Sequence, residues 1–158
     1  MIVKITMSHA EKLRKYGDGE WIDEPDEVFF DHSGIACEIF RHSKGYLIGM
    51  CALPREHPWT RLAIKETEVD IHGHVFVYKT TSNEYIGFSC DMVGDLIPCW
   101  KSTKLADQLI DAMEKKEDDK YRDFIYRNLE FTMEQCRYLA EQVIEAHEPS
   151  CRTKITFE

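Results

Sequence analysis

Residues 68–95 read EVDIHGHVFVYKTTSNEYIGFSCDMVGD, and the pairing of the two halves of this stretch decides the fold. The runs at 69–78 and 84–90 are rich in β-branched and aromatic residues, and the polar sequence KTTSN separates them. This arrangement predicts a β-hairpin whose loop is longer than two residues. Gly73 lies inside the first run, where it indicates a bulge or a close approach of the backbone.

Three shorter apolar runs precede the hairpin, namely EVFF (27–30), IACEIFR (35–41) and GYLIGMCAL (45–53). The sequences DHSG and HSK separate them, and both are typical of turns. Successive strands with such short connections predict an antiparallel meander. The sequence PREHPW at 54–59 ends the meander, because proline cannot donate a hydrogen bond to a strand ladder.

The C-terminal third carries apolar residues at helical spacing, which predicts a shorter helix at 102–120 and a longer one at 121–146. The apolar stripe of the longer helix should lie across one face of the sheet, and its members are Ile125, Leu129, Thr132, Cys136, Leu139 and Val143. Strands followed by helices indicate an α+β domain. We therefore expect an antiparallel sheet, a meander plus a hairpin, packed against one long and one shorter C-terminal helix.

Domain organisation follows from length and composition. Residues 1–20 form an N-terminal segment with a short helix predicted at 9–16, which GDG at 17–19 would end. Residues 21–158 are then a single α+β domain, because 158 residues with 43% apolar and 31% charged side chains suit one core. No apolar run approaches the length of a membrane span, and the N-terminus lacks a signal peptide. We expect an intracellular protein that does not contact membranes.

The chain is acidic, with a net charge of −9 from 29 acidic and 20 basic residues. This charge repels phosphate backbones, so general binding of nucleic acid is not expected. An acidic surface suits a basic protein partner, although it also simply keeps a small domain soluble. The six cysteines include no Cys-x-x-Cys pair. Cys37 and Cys51 lie in apolar runs, so we expect reduced thiols packed in the core.

The sequence DIHGH contains the candidate site. In a regular strand His72 and His74 share one face with Asp70, because residues two apart point the same way. Such a pair of imidazoles can bind zinc or manganese when a third ligand comes from nearby, which predicts a metal site at His72 and His74. Asp91 or Asp95 could supply the third ligand, and His57 in the REHP turn is another candidate.

A structural interpretation of the same residues stays open. A half-buried strand histidine usually bonds a carbonyl or a carboxylate, and a bulge at Gly73 would separate the two imidazoles. Asp95 and Asp26 can each accept hydrogen bonds from backbone amides at a turn. Cys90 lies in an apolar strand, which favours packing over nucleophilic chemistry. No phosphate loop, Gly-x-Ser-x-Gly elbow or His-Glu-x-x-His helix is present, so the catalytic residue, if there is one, is unknown.

Several segments, in this order, resemble a small protein family that is widespread in bacteriophage genomes: EPDEVFF, GIACEIFR, GYLIGMCALPREHPW, VDIHGHVF, YIGFSCDMVGD and YRNLEFTMEQCRYLAEQV. The family's central motifs are Gly-Tyr-Leu-Cys-Gly-Tyr-Val, His-Pro, Val-His-Gly-Gly-Leu-Thr and Gly-Phe-Asp-Cys-x-His-x-Gly-Asp. The resemblance covers about 21–143, with an interruption at about 100–118. It implies a phage origin and a shared fold, rather than an activity, because the family has no settled biochemical function.

The chain departs from the family pattern at its most polar positions. His74 stands where the family has glycine, Ser89 replaces an aspartate and Met92 replaces a histidine, while Gly94 and Asp95 remain. Chemistry that depends on the missing side chains is in doubt here, unless His74 and Asp91 take their places.

The resemblance and the acidic charge together favour one function over two alternatives. We expect an accessory protein in the host-cell cytoplasm that binds a host protein, such as a defence or regulatory factor, without catalysing a reaction or needing a cofactor. One alternative is a small metal-dependent hydrolase built on the candidate site. The other is a nucleotide-binding domain in which Trp59, Phe76 or Tyr85 stacks on a base.

Overall fold

Residues 1–60, 68–99 and 124–147 are described by the structure, which is a computed structural model. Its strands and helices, in chain order, are β1 (Ile2–Lys4), α1 (His9–Tyr16), β2 (Glu27–His32), β3 (Ile35–Arg41), β4 (Leu47–Leu53), β5 (Phe76–Lys79), β6 (Glu84–Ser89) and α2 (Leu129–His147). Short 3₁₀ turns lie at Glu20–Asp23 and Pro58–Thr60. The strands form one antiparallel sheet in the order β1-β2-β3-β4-β6-β5.

The predicted meander is confirmed as β2, β3 and β4. The turn between β2 and β3 has Ser33 and Gly34 at its centre, with φ of 53° and 88°. Positive φ at both central residues is the backbone of a two-residue hairpin turn, and its twist matches that of the strands. The predicted hairpin is also confirmed, since β5 pairs with β6 across the loop 80–83 and places Phe76 opposite Gly87.

Helix α2 covers one side of the sheet, which we call the covered face. Four of the predicted stripe residues are fully buried there, and they are Thr132, Cys136, Leu139 and Val143. Gly49 in β4 permits the close approach, because a Cβ at this position would lie 2.6 Å from the Sγ of Cys136. Cys37 and Cys51 are buried beneath the helix as free thiols, as the sequence predicts.

The N-terminal residues contribute a strand and a helix to the same domain. The sequence pattern did not predict β1, which pairs with β2 at one edge of the sheet, whereas α1 coincides with the predicted helix. The buried Asp26 joins these elements by accepting from the amides of Thr6 and Met7 at 2.9 and 3.0 Å, which confirms its predicted role. Burial alone would raise the pKa of Asp26, but bonds from Lys12, Met7 and Arg41 hold it below its usual value.

The prediction of a strand over 69–78 is wrong in its first part, because the strand begins at Phe76. Residues 72 and 73 form a bend, where Gly73 has a φ of +68°. Its missing side chain leaves room for Met92, since a Cβ on Gly73 would lie 2.3 Å from the Met92 Cγ. The backbone before the bend bonds to side chains of α2 instead of to β6, as described below.

The prediction of a helix start at 121 is also wrong for the described residues, because 124–128 are not helical and α2 begins at Leu129. Asn128 provides the start signal, since its side-chain oxygen accepts from the amide of Phe131 at 2.9 Å. Ile125 fits the helical spacing but forms a bridge with Asp95 and is 52% exposed. The predicted shorter helix at 102–120 lies outside the described residues.

Candidate functional site

His72 and Asp95 meet as the sequence suggests, although not through a regular strand. The Nε2 atom of His72 lies 2.7 Å from the Oδ2 atom of Asp95, whose carboxylate is fully buried. Asp95 follows β6 in a tight turn, in which its amide donates to the carbonyl of Met92 and its Oδ2 accepts from the amide of Met92. The predicted turn-capping role of Asp95 is therefore confirmed.

The second oxygen of Asp95 is also occupied. The Nε atom of Arg127 donates to Oδ1 at 2.9 Å. Phe131 packs against both side chains, with its ring 5.1 Å from the imidazole of His72 and 4.9 Å from the guanidinium of Arg127. Sequence analysis missed Arg127, which lies in the non-helical stretch before α2. A carboxylate with three donors at its two oxygens is a hub that holds the turn, the bend and the start of α2 together.

Side chains of α2 hold the segment that carries His72. The amide of Asp70 donates to Gln142 Oε1 at 2.8 Å, and Gln142 Nε2 donates to the carbonyl of Asp70 at 2.7 Å. About two turns nearer the N-terminus of α2, Gln135 Oε1 accepts from the amide of His72 at 3.1 Å. Glutamine amides thus replace the strand ladder that the sequence pattern predicts at these residues.

The remaining predicted site residues lie apart from this hub. His74 is exposed beyond the bend, and its ring does not share a strand face with His72. Asp70 accepts from the hydroxyl of Tyr138 at 2.8 Å. Asp91 accepts from the hydroxyl of Ser89, the residue that replaces the family's aspartate, at 2.6 Å.

His57, a predicted candidate ligand in the REHP turn, is fully buried, and both of its ring nitrogens are hydrogen-bonded. Its Nδ1 accepts from the amide of Trp59 at 3.0 Å, so Nε2 carries the proton and donates to the carbonyl of Val143 at 2.7 Å. Burial lowers the pKa of His57, which keeps the ring neutral. The imidazole therefore fastens the Pro58–Thr60 turn to α2.

No three histidine, cysteine, aspartate or glutamate side chains among the described residues are arranged to hold a metal ion. His72 and Asp95 already use the facing atoms for each other, and His74 brings no second imidazole to them. The donor set in these ranges does not fit the predicted zinc or manganese site. A thiol nucleophile fits no better, because burial raises the pKa of Cys90 to about 12.

A second surface, which sequence analysis missed as a site, lies on the side of the sheet opposite α2. We call it the open face, and its principal residues are Glu27, Phe29, Glu38, Phe40, Met50, Phe76, Tyr78 and Tyr85. A groove of about 670 Å³ runs across it. Gly87 makes room for the Phe76 ring on this face, because a Cβ there would lie 2.7 Å from that ring and 2.8 Å from Met50.

Carboxylates and rings alternate on the open face. The strand register sets Glu27 opposite Phe40 and Phe29 opposite Glu38, so each carboxylate faces an aromatic ring and the two carboxylates are diagonal neighbours. Burial raises the pKa of Glu38 and the charge of Glu27 raises it further, while Lys4 offsets part of the effect. The alternation of polar and apolar residues in EIF and YIGF predicts strands with two different sides, but it does not indicate that no helix within 1–60, 68–99 and 124–147 covers this side.

Comparisons of the chain with protein-family models, with curated proteins and with solved structures gave no significant match. The resemblance to a bacteriophage family therefore stays a prediction based on the motifs quoted above. Neither helix in the described ranges combines the length and the hydrophobicity that a membrane crossing requires.

Proposed function

We propose that this protein is a phage-encoded accessory protein that acts by binding a host protein, and that the open face is its binding surface. The observation that carries the proposal is the composition of this face, where aromatic rings stand partly exposed in a groove that no described helix covers. Half-exposed aromatic side chains are enriched at protein interfaces, because they contribute a large contact area at low entropic cost. The phage origin and the host partner rest on the family resemblance.

The contrast with the hub at Asp95 supports binding over catalysis. Both oxygens of the fully buried Asp95 carboxylate already accept hydrogen bonds, from His72, Arg127 and a backbone amide, so its position suits a structural clamp better than a reacting proton or a metal. Among the described residues, Glu27 and Glu38 on the open face form no comparable network of hydrogen bonds and ion pairs. A surface that is concave, partly apolar and not used by the fold is the better candidate for function.

A photo-crosslinking experiment tests the proposal by using two exposed tyrosines on opposite sides of the sheet. Tyr78 lies on the open face and Tyr138 on the outer surface of α2, with exposed fractions of 51% and 42%. Replacing each in turn with a photoreactive phenylalanine analogue, followed by irradiation in lysate of the host, should give one stoichiometric adduct from position 78 only. An adduct from position 138 alone, or no adduct from either position, would refute the open face as the binding surface.

A further inference from the structure

We infer that the open face accepts a lysine- or arginine-bearing segment of the partner protein, with the cationic group seated between Glu27, Glu38 and the rings opposite them. This inference rests on the proposed function and names the chemistry of the partner. It differs from a purely apolar docking mode, in which Met50, Phe76 and Tyr85 would carry the contact. The inference depends on charge complementarity at one place on the sheet.

The first support is that neither carboxylate is ion-paired within the part of the chain that the structure describes. Neither Glu27 nor Glu38 forms an ion pair or a side-chain hydrogen bond within 1–60, 68–99 and 124–147. By contrast, the nearby carboxylates Glu24 and Asp26 are both paired with Arg41. Within the described residues, the carboxylates that hold the fold are thus paired, whereas Glu27 and Glu38 have no such partner.

The second support is the environment of Glu38. The carboxyl group of Glu38 is partly removed from water beside Phe29 and Met50. The negative charge of Glu27 lies at the diagonal position on the neighbouring strand β2. Both conditions disfavour the ionised form. A cation in the groove would favour the ionised form of Glu38 in two ways. It would take the place of the water that this carboxylate has lost, and it would offset the repulsion from Glu27.

The third support is a cation that already sits on this face. The Nζ atom of Lys4 lies 5.4 Å from the centre of the Phe29 ring, and the strand register sets Lys4 opposite Glu27. An ammonium group over an aromatic ring, with a carboxylate at the facing position of the next strand, is an arrangement by which aromatic surfaces bind lysine and arginine. Lys4 of β1 therefore illustrates how a cation of the partner can bind over a ring and beside a carboxylate at the next pair of strands, β2 and β3.

The test uses a synthetic peptide, acetyl-Lys-Thr-Lys-Thr-Lys-amide, and a matched peptide with norleucine at each lysine. Titration into isotope-labelled protein at physiological salt, followed by amide chemical shifts, should move the signals of β2, β3 and β4 with the lysine peptide only. The variant Glu27→Gln/Glu38→Gln should raise the dissociation constant by ~10-fold, the order expected for two charge pairs in a partly buried groove. Binding should also weaken as the pH falls through the raised pKa of Glu38.

The matched control is Glu134→Gln/Glu145→Gln, which removes the same charge from exposed positions on α2. It should change the dissociation constant by less than ~2-fold, because at physiological ionic strength these charges are screened from the groove. Equal weakening by both variants would mean a general attraction to an acidic protein and would overturn the inference. Equal binding of the norleucine peptide would do the same.

The outcomes separate this inference from the proposed function. If position 78 crosslinks a host protein but neither peptide moves the signals of the open face, the cationic seat is refuted and the binding surface stands. Amide spectra of both double variants, recorded first, show whether each is folded, since glutamine keeps the size and shape of glutamate.

Discussion

The Nε2 atom of His72 donates to the Oδ2 atom of Asp95 across 2.7 Å, and this contact joins the bend before β5 to the turn after β6. The two residues lie 23 positions apart, and the hairpin between them brings them together. Arg127 completes the hub from the C-terminal side. The arrangement resembles a catalytic pair in composition, but the buried carboxylate of Asp95 and its three donors make it a clamp between three segments of chain.

The first prediction concerns the charge at the centre of the clamp. Asp95→Asn should lower the free energy of unfolding by about 2 kcal/mol, because it leaves the donors of His72 and Arg127 facing an amide. Urea denaturation measures the change, with the exposed Asp23→Asn as the control. A loss below about 0.5 kcal/mol, the size of an ordinary surface substitution, would contradict the role of Asp95 as a hub.

The second prediction concerns the bend at Gly73. Gly73→Ala should destabilise the protein by about 2 kcal/mol, because alanine disfavours the positive φ and its Cβ would collide with Met92. The double variant Gly73→Ala/Met92→Ala should recover part of the loss, since the collision disappears while the backbone strain remains. Additive losses in the thermodynamic cycle would show that the two side chains do not compete for this space.

The third prediction concerns the glutamines of α2. Gln142→Ala should speed hydrogen exchange at the amide of Asp70 by about 10-fold, since this amide loses its acceptor and about 1 kcal/mol of local stability. Exchange at β5 and β6 should stay unchanged, because those amides bond within the sheet. Glu145→Ala on the same helix provides the control, and equal acceleration in both variants would mean that the helix as a whole has loosened.

The fourth prediction concerns pH. Burial lowers the pKa of His57 below the ordinary value of 6.5, so below that pH the unfolded chain takes up a proton that the folded chain refuses. The stabilising contribution is therefore complete above pH 6.5 and decreases as the pH falls, by at most about 1.4 kcal/mol per pH unit. His57→Gln should remove this slope from the free energy of unfolding between pH 7 and 5, whereas the exposed His74→Gln should keep it. Equal slopes in both variants would contradict the assignment.

Asp26 affects the free energy of unfolding only at a lower pH than His57 does, so it does not disturb this measurement. Its pKa is held below the ordinary value of 3.8, so its contribution is complete above that value and disappears only as the pH falls further. Measurements above pH 5 therefore report on His57 without a change in the ionisation of Asp26.

Much of the sheet could be predicted from the sequence because its strands are local. The meander and the hairpin follow from apolar runs separated by turn residues, and neighbours in sequence mostly become neighbours in the sheet. The segment 69–75 could not be predicted, because it has a strand's composition but bonds to glutamines 63 and 72 positions away. Ile125 misled the helix assignment for a similar reason, since its spacing is helical while its backbone bonds to the turn at Asp95.

The candidate site was predictable only in part. The hairpin geometry led correctly to the contact between His72 and Asp95, but nothing local indicates that Arg127 takes the second oxygen. The open face was missed because alternating polar and apolar residues in a strand normally mark a plain solvated side. Its distinguishing feature is the pairing of each carboxylate with a ring across two strands, which depends on register and so is visible only in three dimensions.

The most direct test of the central claim is an amide chemical-shift map of the labelled protein with the host partner recovered through position 78. The account predicts that the perturbed signals cluster on β2, β3, β4 and β6, around Glu38, Met50 and Tyr85, while the outer surface of α2 stays unchanged. A map centred on α2 or on the His72–Asp95 clamp, with the open face unperturbed, would contradict it.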